Sequence, residues 1–283
     1  MMKRIGLIGL IGLIGLIGEV RAQSASDEFG FVMYLVGHTM RDDAVAVVER
    51  TTLTGDSIDF LKGYAYYSAR RLDSAAANYG RVSDGAPFYN EAMLFAALCN
   101  AHQGLYRQSE ESLLRVKDDD SQVTNLKRFE QAGVRLLERD LRGFDSCFAM
   151  VDTGDFRLAV EAANLLAVRN ELASRRVRHP WVAGTLSALV PGLGKVYAGN
   201  IGEGVAAFLV TGSMMAVTAE NWVKEGPTNW KTIAAGLLSA VFYVGNIYGS
   251  VATVKVNLRD FNQRSDVQIL YDIHIPLRAS YRH

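Results

Sequence analysis

Residues 188–204 read ALVPGLGKVYAGNIGEG and connect two apolar stretches, residues 181–194 and 205–219, through a turn rich in glycine. The proline in this turn interrupts a helix, and glycine allows close helix approach and backbone angles that other residues resist. A third stretch, residues 232–254, is uncharged over 23 residues and exceeds the ~20 that cross a bilayer. The sequence therefore predicts a small α-helical membrane domain over residues 179–256, with two or three hydrophobic segments.

The glycines of the turn recur at a fixed spacing, Tyr197-x-Gly199-x-x-Gly202-x-Gly204. This pattern resembles the turn of TM2-type small membrane domains, in which it connects consecutive transmembrane helices. The resemblance covers residues 181–254 and implies an architecture, because the family has no established chemistry to lend. The membrane turn motif predicted from it consists of Pro191, Gly192, Gly194, Tyr197, Gly199, Gly202 and Gly204.

The number of membrane crossings stays open between two and three. With an exported amino-terminal domain, three crossings place Lys255, Arg259 and Arg264 inside, whereas two place them outside. The excess of positive charge usually found inside favours three. Against three, residues 181–194 form a short stretch broken by proline, and a re-entrant segment is the other interpretation.

The first 22 residues have the three parts of a secretory signal peptide. Lys3 and Arg4 form a basic start, residues 5–18 form an uncharged apolar core, and Ala22 supplies a small residue for cleavage. An uncleaved anchor is the alternative, although ~14 apolar residues are fewer than a bilayer requires. We therefore expect the domain that follows, residues 23–178, on the periplasmic side of a bacterial inner membrane.

Charge is distributed unevenly between the two halves of the neutral chain. Residues 23–174 carry 16 basic and 23 acidic side chains, whereas residues 175–283 carry 11 basic and 6 acidic ones. An acidic exported half disfavours nucleic acid, which is bound by clustered Lys and Arg. The basic half is explained by residues that flank membrane segments.

The exported half shows internal similarity at an offset of 34 residues, where residues 63–84 align with residues 97–118. This period is that of tetratricopeptide repeats. The first copy has small, aromatic and proline residues at positions that resemble the repeat consensus: Gly63, Tyr66, Ala75, Tyr79 and Pro87. We therefore predict an all-α chain, in which a TPR-like helical-repeat domain precedes the membrane domain. The remaining residues, 257–283, are predicted to form a polar tail. Apolar residues partly alternate at 267–275, which is typical of a short strand that docks either on the body of the protein or on another chain.

No constellation of residues for catalysis or metal binding is found in the sequence. His38, His102 and His179 are isolated from one another, and no nucleophile motif or paired acidic ligand accompanies them. Cys99 and Cys147 are either two small buried side chains or, in an exported domain, a disulfide. We expect no enzyme activity, no cofactor and no metal.

Two tyrosines are candidates for partner binding. Most aromatic residues of the repeats are expected in the core, but Tyr67 and Tyr89 could face the concave side of the array and hold a partner segment. The sequence thus predicts a non-enzymatic, membrane-anchored scaffold that binds an envelope protein and contacts membrane lipid. Homo-oligomers through the membrane segments are a further expectation.

The competing hypothesis is a membrane-active module, either a small transporter or a factor for membrane-protein insertion, with a regulatory repeat domain. That function requires polar groups that face the interior of the membrane domain. Such groups are scarce here: Glu203 and Glu220 border the second segment, and the polar residues inside the segments are Thr211, Ser213, Thr218 and Asn246. Lys195 in the turn has two interpretations, since it could bind a lipid headgroup or extend to the membrane surface.

Overall fold

Helices account for all regular secondary structure in the residues that the computed structural model describes, 26–281. The predicted all-α fold is confirmed for these residues, and the predicted signal peptide lies outside them. The helices are α1 (residues 26–37), α2 (Arg41–Arg50), α3 (Asp56–Ser68), α4 (Leu72–Tyr79), α5 (Tyr89–His102), α6 (Tyr106–Arg115), α7 (Ser121–Leu137), α8 (Leu141–Phe148), α9 (Ala159–Ser174), α10 (Pro180–Leu189), α11 (Leu193–Ala198), α12 (Ile201–Glu225) and α13 (Trp230–Ser280).

The described chain divides into two compact units. Unit 1 contains the residues up to Ala173 and those from Gln268 onward, and unit 2 contains Ser174–Val267. The predicted domain boundaries at residues 178 and 256 stay predictions. The predicted strand at residues 267–275 is wrong, because these residues lie within α13 and belong to the core of unit 1. We call residues 268–280 of α13 the C-terminal segment.

Unit 1 is built from helix pairs joined by tight turns of the same geometry. In each turn one residue has positive φ, between +60° and +74°, and the next backbone N–H bonds to the carbonyl five residues earlier at 2.9 Å. Such bonds satisfy carbonyls at the end of a helix. The residues with positive φ are Thr39, Arg70, Gly104 and Arg139, and the N–H donors are Met40, Arg71, Leu105 and Asp140.

A second contact recurs where each pair begins. The side chains of Asp56, Asn90 and Asn125 each accept a hydrogen bond from a backbone N–H 27 residues later, at 2.8, 2.8 and 2.7 Å. The three acceptors are themselves 34 and 35 residues apart, as are the turn residues Arg70, Gly104 and Arg139. Each of these contacts ties the start of one pair to the loop that follows it.

The core of unit 1 surrounds α5, whose residues are buried on all sides. Tyr79 is fully buried against Gly63, where an added Cβ would lie 2.6 Å from Cδ1 of Tyr79. Leu113, which aligns with Tyr79 in the sequence, is also fully buried, as are the aligned residues Ala75 and Ser109. Small residues at these positions allow neighbouring helices to approach closely.

Unit 2 contains two helices that are long and apolar enough to cross a membrane, α12 and α13. Only 11 % of the apolar window of α12 and 22 % of that of α13 is buried, whereas the core helix of a soluble protein is mostly buried. The stretch at residues 181–194 does not form a third long helix, because α10 ends at Leu189 and α11 begins at Leu193. α13 is about 76 Å long, so its second half extends beyond a ~30 Å hydrocarbon layer.

Candidate functional site

The predicted turn motif surrounds the short helix α11 in unit 2. Gly192 and Gly199 cap its two ends with left-handed backbone conformations, φ +86° and +97°. Glycine adopts this region without the steric cost that other residues meet. Pro191 lies in the break between α10 and α11, as the sequence predicted for a residue that interrupts a helix.

Three glycines of the motif have no room for a side chain. A Cβ on Gly192 would overlap the carbonyl oxygen of Gly204, and one on Gly204 would lie 2.5 Å from Cγ2 of Val196. A Cβ on Gly194 would overlap the carbonyl oxygen of Ala183, while the Gly194 N–H donates to Oγ of Ser187 at 3.0 Å. These residues therefore allow α10, α11 and α12 to pack closely.

Tyr197 and Gly202 of the motif differ in their contacts from these three glycines. The Tyr197 hydroxyl accepts a hydrogen bond from the backbone N–H of His179 at 3.1 Å, and its ring packs on Ala183, Ala198 and Val254. At Gly202, an added Cβ would meet no atom within 4 Å. The close packing thus requires Gly192, Gly194 and Gly204, but not Gly202.

A stripe of polar residues, all buried except the half-buried Asn257, follows one face of α13 within unit 2. Most of its members are hydrogen bonded to other parts of this unit. Thr232 donates to the Gly226 carbonyl at 2.9 Å, Ser239 bonds to Thr218 at 2.8 Å, Ser250 bonds to Ser187 at 2.7 Å, and Asn257 donates to the Ala198 carbonyl at 3.2 Å. Paired hydroxyl and amide groups of this kind connect helices in a membrane.

Asn246 interrupts this stripe. Its side chain is 7 % exposed, and neither the amide nitrogen nor the amide oxygen has a hydrogen-bond partner among the described residues. It lines a cavity of about 520 Å³ together with Thr211, Lys195 and Glu203. The structure therefore brings Thr211, Asn246 and Glu203 to one cavity, where Glu203 is itself exposed. Of the other two polar candidates, Ser213 is exposed and Thr218 bonds to Ser239. Glu220 is exposed and pairs with Lys224 at 2.6 Å.

The two candidate tyrosines lie in unit 1, where Tyr67 is half-buried and lines a cavity, whereas Tyr89 does not line it. The Tyr67 hydroxyl is 2.7 Å from Nε2 of His274 in the C-terminal segment, with which it is hydrogen bonded. Tyr89 is buried, with Arg115 and Lys117 near the face of its ring. Tyr67 thus contacts a helix of the same chain, and Tyr89 is a core residue.

The C-terminal segment packs into unit 1 through one face. Ile269, Ile273 and Leu277, spaced at four residues, are fully buried in the core. Gly133 of α7 makes this possible, since a Cβ there would overlap Cγ2 of Ile273. Asp272 of the same segment accepts a hydrogen bond from Nδ2 of Asn164 at 3.1 Å. Docking on the body was one of the two alternatives predicted for residues 267–275, but as a strand; the four-residue spacing could have indicated a buried helix face instead.

A cavity of about 650 Å³ lies beside the C-terminal segment, within unit 1. Arg41, Arg70, Arg278, His102 and His274 line it together with aromatic rings, and none of its lining residues is a carboxylate. Within residues 26–281, the three guanidinium groups form no ion pair. Burial lowers the pKa of both histidines, and nearby cations lower it further. The histidines are therefore neutral at pH 7, and the arginines give the cavity its positive charge.

Other titratable groups of unit 1 do not form a reactive cluster. Both cysteines are free thiols, and burial raises the pKa of Cys99 to about 12. Burial also raises the pKa of Glu130 well above its usual range. No three His, Cys, Asp or Glu side chains are grouped so as to hold a metal ion within the described residues.

Comparison of the chain with protein-family models, with curated proteins and with solved structures gives no match. The function is therefore argued from the geometry of the two units. Two features remain as candidate sites: the cationic cavity of unit 1 and the cavity at Asn246 in unit 2.

Proposed function

We propose that this chain is a non-enzymatic, membrane-anchored scaffold of the bacterial cell envelope, whose TPR-like array binds a protein partner on the exported side of the inner membrane. The turns and capping contacts that recur at 34 and 35 residues support a TPR-like assignment for unit 1. The observation that carries the proposal is the docked C-terminal segment. An amphipathic helix seated in a groove is a common mode of protein recognition, and here the array holds one of its own.

The two chain segments that form unit 1 also support two membrane crossings. This unit combines residues that precede α12 with residues that follow the apolar part of α13. Because both parts pack in one core, they lie on the same side of the membrane, and the chain crosses an even number of times between them. Lys255, Arg259 and Arg264 are then on the exported side, contrary to the topology that the positive-inside rule favoured.

The cationic cavity of unit 1 indicates which kind of partner the array takes. Residues 23–174 are acidic as a whole, so three arginines without carboxylate partners form a local exception. Aromatic rings such as Tyr64 line the same cavity and offer apolar contact. An acidic segment that carries an apolar side chain fits both features.

The proposal is tested by crosslinking in cells from a photoreactive amino acid at Ser68, which lines the cavity. We expect one envelope protein to be captured by the wild type and lost from the variant Arg41→Glu/Arg278→Glu. Arg107→Glu is the matched control, because this exposed arginine lies on α6 and does not line the cavity. Capture that persists in the double variant would refute the role of the cavity, and absence of any specific partner would refute the scaffold.

A specific observation also favours the membrane-active alternative, a small transporter or insertion factor. Asn246 and Thr211 are buried inside unit 2 around a cavity, and intramembrane polar groups often mark pathways. Glu203→Gln should then reduce flux or insertion. Glu220→Gln is the control, because Glu220 is exposed and does not line the cavity. Equal activity of both variants would exclude a role for this cavity in transport or insertion.

A further inference from the structure

Asn246 stands out because an amide buried in apolar surroundings is stable only when its polar atoms are hydrogen bonded. Its neighbours on the stripe, Ser239 and Ser250, both have partners, whereas both amide atoms of Asn246 have none among residues 26–281. The unpaired amide lines the same cavity as Lys195 and Glu203, whereas Thr232, Ser239, Ser250 and Asn257 of the stripe do not line it. The position therefore offers one donor and one acceptor group to a molecule in that cavity.

Lys195 places a positive charge at the same cavity. A Cβ on Gly249 would lie 3.9 Å from Nζ of Lys195, so the ammonium group rests against α13 one turn from Asn246. Within the described chain this ammonium has no carboxylate partner.

Glu203 lines the cavity with the opposite charge. One of its carboxylate oxygens accepts a hydrogen bond from Nδ2 of Asn200 at 3.0 Å, which orients the group. The cavity therefore presents a cation, a carboxylate and an unpaired amide to the same volume. A ligand that carries both a negative and a positive group would complement these side chains.

The walls of the cavity are apolar and open toward the surroundings of unit 2. Val241, 68 % exposed, and the partly exposed Phe242 and Val210 form this side. Gly249, beside Lys195, lies six residues before Lys255, which is about 9 Å along the helix. A headgroup held by Lys195 would thus be near the end of the apolar segment, with its chains along the apolar wall. The volume of about 520 Å³ is in the range of small-molecule sites.

We propose that the cavity at Asn246 binds the headgroup of a membrane phospholipid that carries a phosphate and an ammonium group. Lys195 and the Asn246 amide N–H bind the phosphate, and Glu203 binds the ammonium. The inference rests on the membrane insertion in the proposed function, but not on partner binding by unit 1. Loss of lipid binding and loss of the crosslinked partner can therefore be distinguished.

The test uses the full chain in detergent and measures retained lipid by native mass spectrometry. Phosphatidylethanolamine, phosphatidylglycerol and soluble glycerophosphoethanolamine are added in turn, so that the need for the ammonium and for the acyl chains is measured separately. We expect the strongest retention for phosphatidylethanolamine. Since the lost hydrogen bonds involve a charged phosphate, retention should fall about tenfold or more in Lys195→Gln and in Asn246→Leu.

Ser239→Ala is the matched control, because Ser239 belongs to the same stripe but does not line the cavity. Ala207→Phe fills the cavity without removing a polar group and should also reduce lipid retention. This variant replaces Asn246→Leu in the test if Asn246→Leu fails to fold. Equal retention in the control and in the cavity variants would overturn the proposal. Competition by glycerophosphoethanolamine as strong as that by the phospholipid would assign the site to a soluble phosphate ester and overturn the lipid source.

Discussion

Gly133→Ala is the change that tests most directly how the C-terminal segment is held. The new Cβ would overlap Cγ2 of Ile273 and lie 3.7 Å from its Cβ, so one of the two helices must shift. Extra atoms in a packed core cost about 1–3 kcal/mol. If α7 stays folded when the C-terminal segment detaches, detachment relieves the strain. The full cost of the extra atoms is then subtracted from the free energy of docking. Detachment should therefore become about 5- to 150-fold more frequent.

The assay is native-state hydrogen exchange of residues 268–280, which reports their local opening free energy. Gly30→Ala is the control, because Gly30 is also helical but an added Cβ there would meet no atom within 4 Å. Ile273→Leu should rescue the variant, since leucine keeps the volume and lacks the branched methyl group at Cβ. On its own, Ile273→Leu is expected to lower the free energy of unfolding by less than about 1.5 kcal/mol.

Two results would refute the reasoning on Gly133. Unchanged exchange of residues 268–280 in Gly133→Ala would mean that Ile273 does not pack against α7 in the native protein. Failure of Ile273→Leu to restore protection would mean that the clash involves another group.

Three further predictions concern other parts of the chain. Gly194→Ala should prevent close packing of α10 and α11 and lower the thermal midpoint in detergent. Gly202→Ala should leave the midpoint nearly unchanged, because Gly202 has room for a Cβ and Gly194 has none. Burial lowers the pKa of His274 when it is docked. The detached state then binds more protons, so exchange protection of the C-terminal segment should be full above pH 6.5 and fall as pH decreases below it, except in His274→Gln. In the native protein at pH 8, a thiol reagent should modify the half-buried Cys147 first and Cys99 only after unfolding, as peptide mass spectrometry would show; equal rates would contradict the burial of Cys99.

The sequence predicted those features that depend on residues close together in the chain. Pro191 and the glycines at 192 and 194 form the turn because their backbone and steric requirements are short-range. The repeat offset likewise identified the equivalent core positions Tyr79 and Leu113, since packing between adjacent helices repeats with the sequence.

The C-terminal segment could not be placed from its own residues. Its apolar residues fit a two-residue alternation at 269, 271 and 273, and also a four-residue spacing at 269, 273 and 277. The helical spacing prevails because Gly133, more than a hundred residues earlier, provides the space for Ile273. The same limit applies to Tyr67, whose neighbour His274 is 207 residues away.

Unit 1 is formed by two separated segments of the chain, and the ribosome makes the second segment later than the first. About 95 residues separate Ala173 from Gln268, and at 5–20 residues per second their translation takes roughly 5–20 s. During that interval the groove of unit 1 is without its own helix, and its apolar lining is open to chaperones or to a partner segment. A chain that terminates before Gln268 never acquires this cover. Translation that stops short of the C-terminal segment therefore leaves an exposed apolar groove, which is the kind of surface that proteases and chaperones recognise.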